Sequence, residues 1–203
     1  MKYFITGTGT NVGKTVIAAI LTEAWQTDYW KPVQSGTIEG SDSATVKSLI
    51  SNSKTLIHPE AYLLTQPLSP HFAAKIDGVE IEISNINMPE TTHDLIIEGA
   101  GGLLVPLNGK HYVIDLARRF ECGIIVVISS YLGCINHALL SIDYLIRNGF
   151  KIHALVFNGQ CEAEVKEAIV RYTPGTKIIS VPQLKTLSKK EVSEAALLVK
   201  QQI

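Results

Sequence analysis

Residues 5–15, ITGTGTNVGKT, constrain this chain more than any other stretch. Gly7, Gly9 and Gly13 follow a β-rich run and precede a segment with helical periodicity, and two kinds of phosphate site begin this way. One holds a dinucleotide and needs an acidic residue at the end of the second strand to bind a ribose hydroxyl. Here the second β-rich run ends in Lys31-Pro32. The other is a mononucleotide phosphate loop, which needs inward-pointing backbone N–H groups, a lysine for the β and γ phosphates and a hydroxyl for Mg²⁺ just inside the helix. Gly13, Lys14 and Thr15 supply all three. The loop departs from G-x-x-x-x-G-K-[ST] at Thr8, where that pattern has glycine. A glycine-rich strand-to-helix turn without a ligand is the plain alternative.

A loop of this kind works only between a buried strand and a helix, and the rest of the chain repeats that alternation. Short β-rich runs at 3–6, 29–33, 95–98, 124–129, 153–158 and 177–181 read as strands, several of them apolar on both faces. Helical periodicity covers 14–25, 43–51, 112–120, 134–148 and 162–172. In the first of these Val16, Ile17, Ile20, Leu21 and Ala24 form one stripe, and Asn148-Gly149 ends the fourth. Strands alternating with helices predict an α/β fold: a doubly wound, mostly parallel sheet with helices on both faces, P-loop NTPase-like. Residues 53–93, rich in Pro, Ser and Asn, read as an irregular insertion near the site. Residues 1–203 are expected to form a single domain.

Composition excludes several partners. Eighteen basic and nineteen acidic side chains give a net charge of -1, so no bulk field draws the chain to nucleic acid or to an anionic membrane. Its longest strongly apolar run, 124–128, is far short of the roughly 20 residues that span a bilayer. Met1-Lys2 leads straight into the first β-rich run without a signal-peptide pattern, so a soluble, cytoplasmic protein is expected. Cys122, Cys134 and Cys161 are odd in number and lack CxxC spacing, which argues against a disulfide framework or a zinc site.

Beyond the loop, three residues carry chemistry. Glu98 ends an apolar strand, where a carboxylate is costly unless paired or metal-bound, and Gly99, Gly101 and Gly102 after it let backbone approach a ligand. Asp42 in GSDSAT is a second candidate acid, with a helix N-cap ahead of Ser43 as its alternative role. With Thr15, the two carboxylates would offer Mg²⁺ hard oxygen ligands, water and phosphate completing the shell. Lys31 precedes a proline, which holds it extended at a strand's carboxyl end, where ligands bind in open α/β sheets.

At this point TGTGTNVGKT, KPVQSG, SPH at residues 69–71, EGAGG, LGCINHA and VFN resemble, in order and spacing, the dethiobiotin synthetase family. The likeness runs over residues 3–182. It implies a homodimer that forms the ureido ring of dethiobiotin from 7,8-diaminopelargonate, CO₂ and ATP with Mg²⁺. Carried over, it implies that Asn11, Val12, Gly13, Lys14, Thr15 and Val16 wrap the phosphates and that Thr15, Asp42 and Glu98 hold the metal. Gly99, Ala100 and Gly101 would line the nucleotide. Lys31 would be catalytic beside Lys14, and Thr10 and Ser35 would touch the diamine or its carbamate. Asn158 would read adenine, with Gly159, Pro182, Gln183 and Leu184 along the base. Gly133, Cys134, Ile135 and Asn136, at a helix N-terminus, would hold the substrate carboxylate across the dimer. Two positions depart from the family pattern: many relatives carry an acid in place of Asn11, and some carry Asp in place of Gly159.

Partition and septum-site ATPases are similar in fold and act as ATP-gated dimer switches. Their loop has an additional lysine where this chain has Gly9, which favours the synthetase. An amide-forming corrinoid ligase of the same superfamily would bring a glutaminase domain that this chain is too short to hold.

Overall fold

The computed structural model describes residues 1–38 and 40–202. In chain order the elements are β1 (Lys2–Gly7), α1 (Lys14–Trp25), β2 (Asp28–Trp30), β3 (Val33–Ser35), α2 (Asp42–Leu49), β4 (Ile57–His58), β5 (Tyr62–Leu64) and α3 (Pro70–Ile76). A 3₁₀ turn (Ile83–Asn85) follows, then β6 (Leu95–Gly102), α4 (Val113–Arg119), β7 (Gly123–Ser129), α5 (Cys134–Arg147), β8 (Ile152–Asn158), α6 (Ala163–Val170), β9 (Lys177–Val181) and α7 (Lys189–Lys200).

Seven strands form one sheet in the order β4-β2-β6-β1-β7-β8-β9, and every pairing is parallel. Parallel neighbours need crossover connections, and the helices that provide them cover both faces. Because strand side chains alternate, Phe4, Trp30 and Ile97 join one core with α3, α4, α5 and α6, while Ile5, Tyr29 and Ile96 join the other with α1, α2 and α7. Each such fully buried aliphatic or aromatic side chain contributes about 1.5–3 kcal/mol relative to exposure.

Three expectations are corrected. The run at 29–33 is not one strand: β2 stops at Trp30, and β3 pairs with β5 in a separate two-stranded sheet. Pro32 lacks the N–H that would continue the ladder, and its carbonyl accepts from Ala61 and Tyr62 at 2.9 and 3.0 Å. Residues 53–93 are more regular than expected. They contribute β4 to the main sheet and Ala73, Ala74, Ile81 and Ile86 to the core. The alternative of Asp42 as N-cap also fails, because Ser41 caps α2 by accepting from Ala44 N–H at 3.1 Å and Asp42 opens the helix. One helix escaped the reading altogether. α7 shows Val192, Ala195, Ala196 and Val199 at helical spacing, all buried, after a Ser188 cap.

At the sheet end opposite the phosphate loop, fully buried Asp28 ties three segments together. Its carboxylate accepts from Leu56 N–H at 2.8 Å and the Thr91 hydroxyl at 2.5 Å. Ring nitrogens of His93 and His58 stand 3.1 and 3.3 Å away. Among the described residues no helix is long and apolar enough to cross a membrane.

Candidate active site

The loop between β1 and α1 is shaped by contacts that glycine alone permits. Gly13 adopts a left-handed φ of 89° as it enters α1, and a Cβ there would stand 2.1 Å from Asn158 Nδ2. At Gly7 a Cβ would be 2.5 Å from Val12. Asn11 is left-handed too, at φ 60°, a conformation that Asn tolerates better than most residues. Thr8 N–H donates to the Val127 carbonyl at 3.1 Å, and the Asn158 amide donates to the Val12 carbonyl at 2.9 Å, so β7 and β8 hold both limbs of the loop. No side chain caps the N-terminus of α1, and its first N–H groups face the loop as an anion site. Lys14 Nζ donates to the Gly9 carbonyl at 3.3 Å.

Strand register assembles the charged centre. β2 and β6 pair Tyr29 with Ile96 and Trp30 with Ile97, so the next step along both strands sets Lys31 against Glu98. On the other side β6 pairs Glu98 with Ile5 of β1, which carries the phosphate loop. Glu98, 1% exposed, receives the Thr15 hydroxyl at 2.9 Å and the Lys31 ammonium at 3.1 Å on Oε1, and the Tyr29 hydroxyl at 2.8 Å on Oε2. Lys31 is 4% exposed and also pairs with Asp42 at 2.5 Å. Burial opposes its charge, yet Glu98 and Asp42 outweigh burial and hold its pKa above the ordinary lysine value. Lys14 moves the other way: burial lowers its pKa, Glu98 offsets part of this, and the neighbouring Lys31 adds to the lowering. Gln34 fixes the entry of α2, accepting from Asp42 N–H at 3.0 Å while its amide donates to the Ser35 carbonyl at 3.0 Å.

These groups line a cleft of about 1030 Å³. Of the residues expected from sequence, Thr10, Asn11, Gly13, Lys14, Thr15, Val16, Lys31, Ser35, Asp42, Glu98, Ala100 and Gly101 border it. Val12 is buried beneath the loop. Gly99 is explained by packing, since a Cβ there would press on Phe4 and Val113 at 3.0 Å. Pro182, Gln183 and Leu184 border a second groove of about 530 Å³ against α7. Asn158 and Gly159 line neither: Asn158 stands against Val12 and Gly159 against Gln183, whose Oε1 would lie 2.6 Å from a Cβ. Gly133, Cys134, Ile135 and Asn136 border neither cleft; they open α5 beyond β7, with Cys134 buried. Sequence reasoning missed Gln34, Ser41, Thr45, the wall formed by Pro67 to Pro70, and Leu187. The proline pair of PLSP, Pro67 and Pro70, was the available signal for that wall. Nothing local marks Leu187.

Thr15, Asp42 and Glu98 fit a hard divalent cation. They are oxygen donors from three segments, and the two carboxylates already enclose one cationic group, the Lys31 ammonium. Two carboxylates are few for an all-protein cage and suit an ion that arrives on phosphates.

The AAA domain family matches residues 1–191. An ATP-dependent dethiobiotin synthetase from Cytophaga hutchinsonii is 45% identical over 197 residues, covering 97% of this chain and 95% of that one. One from Christiangramia forsetii is 48% identical over 178 residues, covering 88% and 85%. Among solved structures, a ParA family ATPase from Chlorobium tepidum superposes with a TM-score of 0.59 at 12% identity, covering 97% of this chain and 98% of that one. The MinC:MinD complex of Aquifex aeolicus gives 0.59 at 14% identity, covering 98% and 93%. At such identities the partition and septum-site proteins share the P-loop fold alone. The close sequence relatives decide between the two readings of that fold: this is an ATP-dependent ligase of biotin biosynthesis, and the chain belongs to the ATP-dependent dethiobiotin synthetase family.

Proposed function

We propose that this chain closes the ureido ring of dethiobiotin on 7,8-diaminopelargonate, using CO₂ and ATP. The observation that carries the reading is the convergence of Lys14, Thr15, Lys31, Asp42 and Glu98 on one cleft beside the phosphate loop. One substrate amine takes up CO₂ and loses a proton to become a carbamate. A carbamate oxygen attacks the γ phosphorus as ADP leaves, and the second amine then attacks the carbonyl carbon, closing the ring and releasing phosphate. Carbamate, phosphoryl group and leaving phosphate are all anionic, so fixed cations that face them stabilise charge as it develops.

Lys14 pairs with the β and γ phosphates against the N–H groups of the loop. Lys31, kept protonated by its two carboxylates, faces the carbamate and its phosphorylated form. Thr10 and Ser35 border the same cleft and would touch the diamine end. Thr15, Asp42 and Glu98 would hold Mg²⁺, which when bound neutralises charge on the phosphates. Asn158, Gly159 and the segment Pro182, Gln183 and Leu184 would lie along the base.

The substrate carboxylate would rest on Gly133, Cys134, Ile135 and Asn136 of a second copy. Leu132 and Leu140 leave apolar side chains in solvent ahead of and along α5, a surface that a homodimer would cover. The test is to incubate the protein with ATP, Mg²⁺, bicarbonate and 7,8-diaminopelargonate and to look for dethiobiotin by mass. Omitting the diamine should stop ATP turnover. Turnover that ignores the diamine and responds to DNA, membrane or a protein partner would overturn the reading in favour of a switch ATPase.

A further inference from the structure

We propose that Tyr29 is a positioning residue for Glu98: it holds one carboxylate oxygen, so that only the other is offered to the cleft. The inference rests on the reading of Glu98 as a cation ligand. Tyr29 is fully buried on the α1 face of the sheet, among apolar inward neighbours such as Ile5, Ile96 and Ile125. Its register opposite Ile96 puts it one same-face step short of Glu98, within reach of a phenol. Packing alone would be met by phenylalanine, so the hydroxyl needs another reason. That hydroxyl donates to Glu98 Oε2 at 2.8 Å. A phenol carries its proton near neutral pH, so the hydroxyl is the donor and the carboxylate oxygen the acceptor.

The two oxygens of Glu98 are therefore not equivalent. Oε2 faces inward and is taken, while Oε1 meets Thr15 and Lys31 at the cleft. Glu98 then presents Oε1 to a cation in a direction that the Tyr29 bond fixes. Partners of this kind orient a ligand, and their loss weakens metal binding by about 10–100-fold.

The test replaces Tyr29→Phe in the full chain and follows two quantities: Mn²⁺ affinity in the presence of ADP, read from the paramagnetic resonance of free Mn²⁺ without turnover, and the Mg²⁺ concentration giving half-maximal rate. Both should weaken about ten-fold. Ile96→Val, buried beside Tyr29 in the register, should lower Tm and leave both values unchanged. Equal weakening by Ile96→Val would make the effect one of packing and overturn the proposal. Glu98→Gln separates the two levels of the argument. Weakened Mn²⁺ binding in Glu98→Gln with wild-type binding in Tyr29→Phe sinks the Tyr29 role alone, whereas wild-type binding in Glu98→Gln sinks the metal reading and the Tyr29 role with it.

Discussion

Asn158 leaves Gly13 no room for a side chain. Its Nδ2 lies 2.1 Å from where a Gly13 Cβ would be, because the same amide donates to the Val12 carbonyl at 2.9 Å. The end of β8 thus sets the curvature of a loop far away in sequence. Asn158 thereby braces the loop between β1 and α1 from the end of β8.

Gly13→Ala should therefore disable the loop in two ways, by forcing a left-handed alanine, which costs about 1–2 kcal/mol, and by displacing Asn158. ATP binding measured by calorimetry should weaken at least about ten-fold. Adding Asn158→Ala removes the clash but not the backbone strain, so the double variant should be more stable than the sum of the single losses. Strict additivity would show that the two residues do not interact.

The two lysines should separate kinetically. Lys14→Ala removes a charge that serves phosphates in ground and transition states alike, so ATP affinity and rate should fall together. Lys31→Ala should lower kcat by about 10²–10³ while KM for ATP stays within a few-fold. It also strips Glu98 of its ammonium partner, and loss of one member of a buried pair costs about 3–5 kcal/mol, so Tm should drop as well. Lost ATP affinity with a normal rate at saturation in Lys31→Ala would reverse the roles.

Asp28 supplies a pH-dependent share of stability away from the cleft. Burial disfavours its charge, but Thr91, Leu56 N–H, His93 and His58 more than compensate and hold its pKa below the ordinary 3.8. A folded pKa below the unfolded one stabilises above about pH 4, and that share is lost as pH falls through the folded value. Asp28→Asn should cost about 1–3 kcal/mol near neutrality, since buried donors lose their acceptor. Thermal melts of wild type and variant should converge as the pH falls below 3.8. A constant gap down to strongly acidic pH would show that the carboxylate charge contributes nothing.

A site shared between subunits predicts complementation. One inactive chain carries Lys14→Ala, and another carries Gly133→Trp, which blocks the turn that opens α5 at a left-handed position with open space around it. Mixed dimers contain one intact composite site and should recover up to about half of the activity per dimer, as a two-fold interface requires. Proven subunit exchange without recovery would rule out the shared site.

Reading the sequence alone decided what depends on neighbours along the chain. Gly13, Lys14 and Thr15 announce a phosphate loop because the N–H groups, amine and hydroxyl that it needs come from consecutive residues. The strand–helix alternation points to a parallel sheet because strands buried on both faces read as short apolar runs between amphipathic helical stretches. α7 is equally legible, with Ser188 and Glu191 at its start and Val192, Ala195, Ala196 and Val199 on one stripe.

Tertiary structure decided the rest. The break after Trp30 arises because Pro32 cannot donate to the main ladder, while its carbonyl accepts from Ala61 and Tyr62 as β3 pairs with β5. The inequality of the two Glu98 oxygens depends on the β2–β6 register. A slip of one residue would turn Tyr29 and Lys31 to the opposite face and leave Glu98 buried without them. That register is set by the packing of two cores against the sheet, and no short stretch of sequence encodes it.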